Sequence, residues 1–420
     1  GSTVTLNGTI ASSNDAIVLG AVTLGSATTI DTNASSNAGD ITVAAITGGS
    51  NNLTLSTGDN VSGADITASG AISGLGNLTL ADVGGTATFS ANVAAAALSA
   101  DSTVANISFT GGSNTFSAAS TLANDGTLTF GDATGDSFTF NGGLTTSSVG
   151  STVTLNTSIS SSDDALTFGA ITLGNNVTID TNSTTTNRAD IAIGAVTGGS
   201  NTLTLTTENN VTGADITASG AISGVTTLTL ASVGGTATLS ADVDVTTLSV
   251  DNTVANVAFT GNGSSVTNSF TPANDGTFVF GASGGTQTYN GGLTTTSVGS
   301  TVTLNGTIAS SNDAIVLGAV TLGSATTIDT NASSTTGDLT LGVVTGGSNT
   351  LTLSTGDNVA NSDITASGNI SGVTTLTLSD VGGTATFAGD VDVTTLSVDN
   401  TVANVALNGD GSSVTNAVSF

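Results

Sequence analysis

The residues of this sequence that could do chemistry are almost all aspartates. "DVDV" sets Asp242 and Asp244 two apart with Asp251 seven residues further on, and Asp390, Asp392 and Asp399 repeat the arrangement. Residues two apart on a strand share a face, and carboxylates are the hard oxygen ligands that Ca2+ takes. A weak calcium site at these six residues is one expectation. Against it, the corresponding earlier passage reads "ANVAAAALSAD" and keeps only Asp101. The GGxGxD nonapeptide of calcium-binding β-rolls is also absent. An exposed acidic strand face explains the pairs without a metal. Other recurring aspartates (Asp15, Asp164 and Asp313; Asp65, Asp215 and Asp363) sit beside Gly, Asn or Ser, where Asx-turns and loop capping account for them. No cofactor is required on this reading.

The remaining inventory argues against catalysis. The chain has no His and no Cys, and its single basic residue is Arg188. Nucleophilic triads, Schiff bases and zinc sites lack their parts. Paired carboxylates could hydrolyse a glycan, but one Tyr (Tyr289) and one Arg serve 420 residues. The expectation is that the protein is not an enzyme.

Charge narrows the partners. Thirty acids against one base give a net charge of −29. Such a polyanion repels nucleic acid, since nothing basic is present to release counterions. Anionic membrane surfaces are disfavoured for the same reason, while divalent cations are attracted. No apolar run reaches membrane-spanning length. With Arg188 as the one trypsin-type cleavage point and no Met or Cys to oxidise, the composition suits persistence outside a cell.

What positions these residues is a repeat. "GSTVTLNGTIASSNDAIVLGAVTLGSATTIDTNASS" at Gly1 returns letter for letter at Gly299, and a diverged copy begins at Gly150. The period is 149 residues, giving repeats 1–149, 150–298 and an incomplete 299–420. Within each copy, apolar residues alternate with Thr, Ser or Asn in short words: "TVTL" at 3–6, "ATTID" at 27–31, "NLTL" at 52–55 and 77–80, "TATF" at 86–89, "TLTF" at 127–130. Period two means strands with one buried face. Turn words such as "GGSN", "TGDN" and "ANDG" separate them.

Two all-β architectures can use such strands. Strung β-sandwiches normally carry an aromatic core and linker prolines, and here there are 13 Phe and one Pro in 420 residues. A β-solenoid needs only a thin aliphatic stack and small corner residues. The expected fold is therefore a parallel β-helix of six to seven rungs per repeat. That makes about seventeen rungs in all, a rod of roughly 80 Å at the strand spacing.

"GGSNTLTLTTENNVTGADITASGAISG" (198–224), "GGSNTLTLSTGDNV" (346–359) and "VTTLTLASVGGTATLSADV" (225–243) resemble the large repeat surface proteins of bacteria. The groups concerned are filamentous-haemagglutinin-like adhesins and autotransporter passengers with β-strand repeats. The resemblance is one of style over most of the chain. It implies a secreted, right-handed β-helix that works in adhesion, biofilm or a surface coat.

The resulting expectation is an extracellular structural protein that forms a filament, coat or matrix fibre by end-to-end stacking, with itself as chief partner. The alternative is an adhesin stalk serving a host or glycan receptor. Thr-x-Thr rows on stacked rungs raise a third option, an ice-binding face. Both ends of the segment are expected to abut more β-helix.

Overall fold

Alternation of β-branched or Leu residues with Thr and Ser leaves these words no stable helix and gives them a ready strand. A computed structural model describes residues 4–59, 61–184, 187–416 and 418. Among them there are strands and turns and no helix. Every strand pairs in parallel with a strand one coil away, so the fold is a β-solenoid of about 19 coils. Residues 1–3, 419 and 420 lie outside the described residues, and with them the expectations about the first and last letters. The chain forms two compact units, Gly1–Ile216 and Thr217–Phe420.

In Gly1–Ile216 each coil contributes three strand segments, which stack into three columns. The first column runs 4–6, 22–24, 46–47, 72–75 and 93–95. The second runs 8–11, 28–31, 53–56, 78–81 and 97–100. The third runs 17–19, 41–43, 66–68, 86–89, 106–109, 128–130 and 153–155. The sequence words therefore mark one strand in three. "TVTL" at 3–6 and "ATTID" at 27–31 are not successive rungs, because Val4 pairs with Val22 and Thr28 belongs to the next column. Coil length also varies: Ile41 meets Ile66 across 25 residues, but Val153 meets Ile171 across 18.

Those unequal coils give the repeat a non-integer pitch. Sixteen strands precede Val153. Four of them (Val4–Ala11, Val22–Asp31, Ile72–Ala81 and Val93–Ala100) turn a corner and serve two columns. One repeat is thus twenty segments, or six and two-thirds coils at three segments per coil. As a result "VTL" at 4–6 lies in the first column, and the same letters at 153–155 lie in the third. Each repeat begins one face back from its predecessor.

Thr217–Phe420 shows the same step independently. "ISGV" at 222–225 heads a column that continues through Val243–Val245, Val266, Tyr289, Ser310, Asp329 and Ser354 to Ser379. The matching "ISGV" at 370–373 stands in a neighbouring column, on Val344.

The core is what the alternation demands. Val, Ile and Leu point inward in in-register stacks, Thr points outward, and buried residues alternate with half-buried ones on strand after strand. Each fully buried aliphatic side chain contributes about 1.5–3 kcal/mol. The few aromatics are concentrated inside. In the first unit Phe89, Phe109 and Phe130 stack on successive coils with ring centroids 4.8 and 6.0 Å apart, and Phe138 meets Phe130 edge-on at 5.1 Å. The second unit has its own cluster of Phe270, Phe278, Phe280 and Tyr289.

Candidate functional site

The most elaborate surface feature is a pair of long corner loops in each repeat, 32–40 and 57–65 in the first copy. A hydroxyl ladder holds them from inside, since a corner carbonyl facing an apolar core must find a donor. Thr32 donates to the carbonyls of Gly39 (2.6 Å) and Thr57 (3.2 Å), and Thr57 to that of Asp82 (2.8 Å). Both threonines are fully buried. Asn14, one coil below, accepts from the backbone N–H groups of Ser35 and Ser36. In the third copy Thr330, Thr355 and Asn312 repeat every contact. In the second copy Asp163 takes the place of Asn14, accepting from Thr184 N–H, and Thr181 donates to the carbonyl of Ala189 at 3.0 Å.

The second copy departs from this plan. Asp31 and Asp329 each accept from a serine hydroxyl one coil up, Ser56 (3.3 Å) and Ser354 (3.1 Å). At the matching place Asp180 instead faces Glu208, the chain's only Glu. Burial, with the Glu208 carboxyl adding to it, pushes the Asp180 carboxyl up to about 6, although Asn182 N–H (2.8 Å) pulls the other way. Nearby, exposed Arg188 lies against Gly213, where a Cβ would come within 2.9 Å of the guanidinium. Sequence reading passed over the Asp180–Glu208 pair, because the two are 28 residues apart and only coil stacking joins them. The lone Glu was the available signal.

The six calcium candidates are placed separately. Asp251 and Asp399 cap their own turns, accepting from the N–H groups of Thr253 (2.8 Å) and Thr401 (2.9 Å). Asp242 and Asp390 accept from the next coil, Gly263 N–H (2.7 Å) and Gly411 N–H (2.8 Å). Asn92 does the same for Ser113 N–H (3.0 Å) in the first copy, so this task needs an oxygen and not a charge. Asp244 and Asp392 point to solvent from their strands. No group of three or more acidic side chains able to hold a metal occurs among the described residues.

The other recurring aspartates divide into two kinds. Asp65 and Asp363 accept from the backbone N–H of Thr86 and Thr384, both at 2.7 Å, one coil up. Asp40, Asp190 and Asp338 do so for the N–H of Asp65, Asp215 and Asp363 at 2.9–3.0 Å. These are inter-coil links, where the sequence suggested Asx-turns. At Asp15, Asp164 and Asp313 it is the backbone carbonyl that is engaged, by the hydroxyls of Ser12, Ser161 and Ser310.

Tyr289, the one residue with a phenol, is structural. Its hydroxyl donates to Gln287 Oε1 (2.9 Å), and Gln287 Nε2 donates to the carbonyls of Phe259 and Gly261. Full burial raises its pKa well above the usual phenol range.

Where the long strands bend at a positive-φ glycine, a shallow groove of about 390 Å³ opens. It lies beside Gly74, Leu75 and Ala95 in the first copy and beside Gly372, Val373 and Asp392 in the third. Ser, Thr, Gly, Ala and Val residues line the rest, and no aromatic ring does. No helix among the described residues is long and apolar enough to cross a membrane. No protein family, no curated protein and no solved structure matches the chain.

Proposed function

We propose that this chain is an extracellular structural repeat protein, a length of solenoid that works in a cell-surface filament, coat or matrix fibre extended by end-to-end stacking. The observation that carries the reading is the face-stepping repeat. One set of words seats equally well on different columns of the coil, so axial extension requires nothing beyond more of the same sequence. The inward groups are apolar, the outward ones are Thr, Ser, Asn and Asp, and the polar side chains at the corners bind the coil above or below. Such a molecule supplies length and persistence.

The recurring groove favours a second reading, the stalk of an adhesin with a host or glycan receptor. The ice-binding alternative is weakened by the outward threonines, which are shared among the columns: Thr29–Thr54–Thr79 in one, Thr42–Thr67–Thr88 in another. Electron microscopy of native material with an antibody to the repeat separates these readings. Labelling along continuous fibres outside cells is the expected result. Label on isolated rods with a distinct head points to the adhesin, and label confined to the cell interior refutes both.

A further inference from the structure

Asparagine followed by glycine is a pair able to modify itself, because glycine has no side chain to keep its backbone nitrogen away from the asparagine side-chain carbonyl. The sequence contains six such pairs, and four of them (141–142, 262–263, 290–291 and 305–306) have a described coil both above and below. These four differ in what holds the two reacting groups. Gly263 N–H is given to Asp242 Oδ1 at 2.7 Å. Gly306 N–H is given to Ser324 Oγ at 3.3 Å, and Asn305 Nδ2 donates to the Phe280 carbonyl at 3.2 Å. At 290–291 the glycine N–H makes no hydrogen bond among the described residues, but Asn290 Nδ2 reaches Ser265 Oγ at 3.1 Å, one coil below. At 141–142 both groups are open. The Asn141 side chain and Gly142 N–H make no hydrogen bond among the described residues, and both residues are half-buried, within reach of water. Thr115 lies under Thr139 as Ser265 lies under Thr288, so it stands in Ser265's place without holding the asparagine above.

We propose that Asn141 is a site of self-modification by deamidation, and that the fold holds the other three pairs back from the same reaction. The Gly142 nitrogen gives its proton to water and attacks Asn141 Cγ. The new C–N bond closes a succinimide ring, and the side-chain nitrogen leaves as ammonia. Water then opens the ring. Cleavage of the new bond leaves aspartate, and cleavage of the original backbone bond leaves isoaspartate. Water is consumed and ammonia released, with no oxidant or reductant. The turn concerned ties neighbouring coils together: Asn141 N–H donates to the Phe116 carbonyl below (2.7 Å), and Leu144 N–H to that of Ala165 above (3.1 Å). Aspartate adds a charge at this turn, and isoaspartate adds a methylene to its backbone. The site does not rest on the filament reading, since it operates in this chain alone or within a fibre.

The test is incubation of the folded 420-residue chain in neutral buffer, with peptide mass mapping by an elastase-type protease over time. The mass gain of an amide turned to an acid is expected first at Asn141. Conversion at Asn262 is expected to be at least about tenfold slower, because a hydrogen bond to a carboxylate must break before Gly263 can react. Asn290 and Asn305 are expected to lag as well. Ser265→Ala, which frees the Asn290 side chain, is expected to bring Asn290 level with Asn141 and to leave circular dichroism unchanged. In denaturant all four pairs are expected to convert alike, which makes the order in the folded chain a property of the fold. An Asn141 that stays an amide in the folded chain while converting in denaturant overturns the inference, as does an Asn262 or Asn305 that keeps pace with it. A folded Ser265→Ala chain in which Asn290 remains slow overturns the role given to the side-chain anchor.

Discussion

The same nine letters, VTLNGTIAS, occur at 4–12 and at 302–310 and have different environments. In the later stretch Val302, Leu304, Ile308, Ala309 and Ser310 are all buried; in the earlier one only Leu6 is. One coil further on the difference is gone, and Val22–Asp31 and 320–329 are buried alike at every position. The lesson is that a solenoid strand's burial is set by the neighbouring coil and its effect does not extend beyond it. Stability here is a sum of nearest-neighbour terms, and these two stretches measure one such term with sequence held constant.

Cavity formation breaks the comparison most strongly. In this 420-residue chain Ile308→Ala is expected to cost about 2–5 kcal/mol, and Ile10→Ala no more than about 1–2, because no described coil lies beneath Ile10 to leave a void. Native-state hydrogen exchange on peptides around each site reads the two costs separately; equal protection losses would contradict the nearest-neighbour account.

Backbone pairing comes next. Thr307 N–H donates to the carbonyl of Gly285 at 2.8 Å. Its twin Thr9 has the same conformation after a positive-φ glycine and no described coil below. Thr307→Pro is expected to destabilise by about 1–3 kcal/mol more than Thr9→Pro, the cost of stranding that carbonyl. Matched thermal melts of the two variants decide it.

A smaller effect sharpens the contrast between copies through pH. The Asp180 carboxyl is raised from 3.8 to about 6, so the folded chain holds its proton more tightly than the unfolded chain. Stability therefore falls as pH rises from about 4 to about 6, and the penalty is complete above that. Asp180→Asn is expected to raise the melting temperature at pH 7 and to leave it unchanged at pH 4, while its carbonyl oxygen keeps the Asn182 contact. Asp31→Asn, which weakens an acceptor for Ser56, is expected to show no such gain at pH 7. A gain at Asp180 that persists at pH 4 would point to something other than charge.

The smallest effect is expected from chelation. Since Asp242, Asp251, Asp390 and Asp399 are engaged by backbone N–H groups, EDTA is expected to leave the β-sheet melting curve where it was. Any lateral bundles that divalent cations hold together against the −29 charge are expected to separate. Melting of the coils on chelation would instead make these aspartates structural metal ligands.

Much of the fold was legible because period-two alternation and turn residues are local. "NLTL" at 52–55 and 77–80 lies in one column, as its spacing suggested. "TVTL" at 3–6 was harder to place: a strand word does not say which side of a three-sided coil it occupies, and four strands of the first repeat serve two sides. The polar residues divide in the same way. Asp251 bonds two residues on and could be read as a turn cap; Asp65 bonds 21 residues on, and Asp180 meets Glu208 across 28. Contacts of that length depend on the sum of every turn between them.

The sequence by itself determined that this chain is all-β, that it repeats every 149 residues, that it stacks in parallel over a thin core, and that it has no His, Cys or Lys. Those properties follow from composition and from alternation along a single strand. The tertiary structure alone decided that a repeat is six and two-thirds coils. It also decided that Asp65, Asp242 and their counterparts in the third copy serve as links between coils, and that identical letters are buried at 302–310 and open at 4–12. These depend on how unequal coils of 18 to 26 residues add up, and on what lies one strand spacing, about 4.8 Å, above or below.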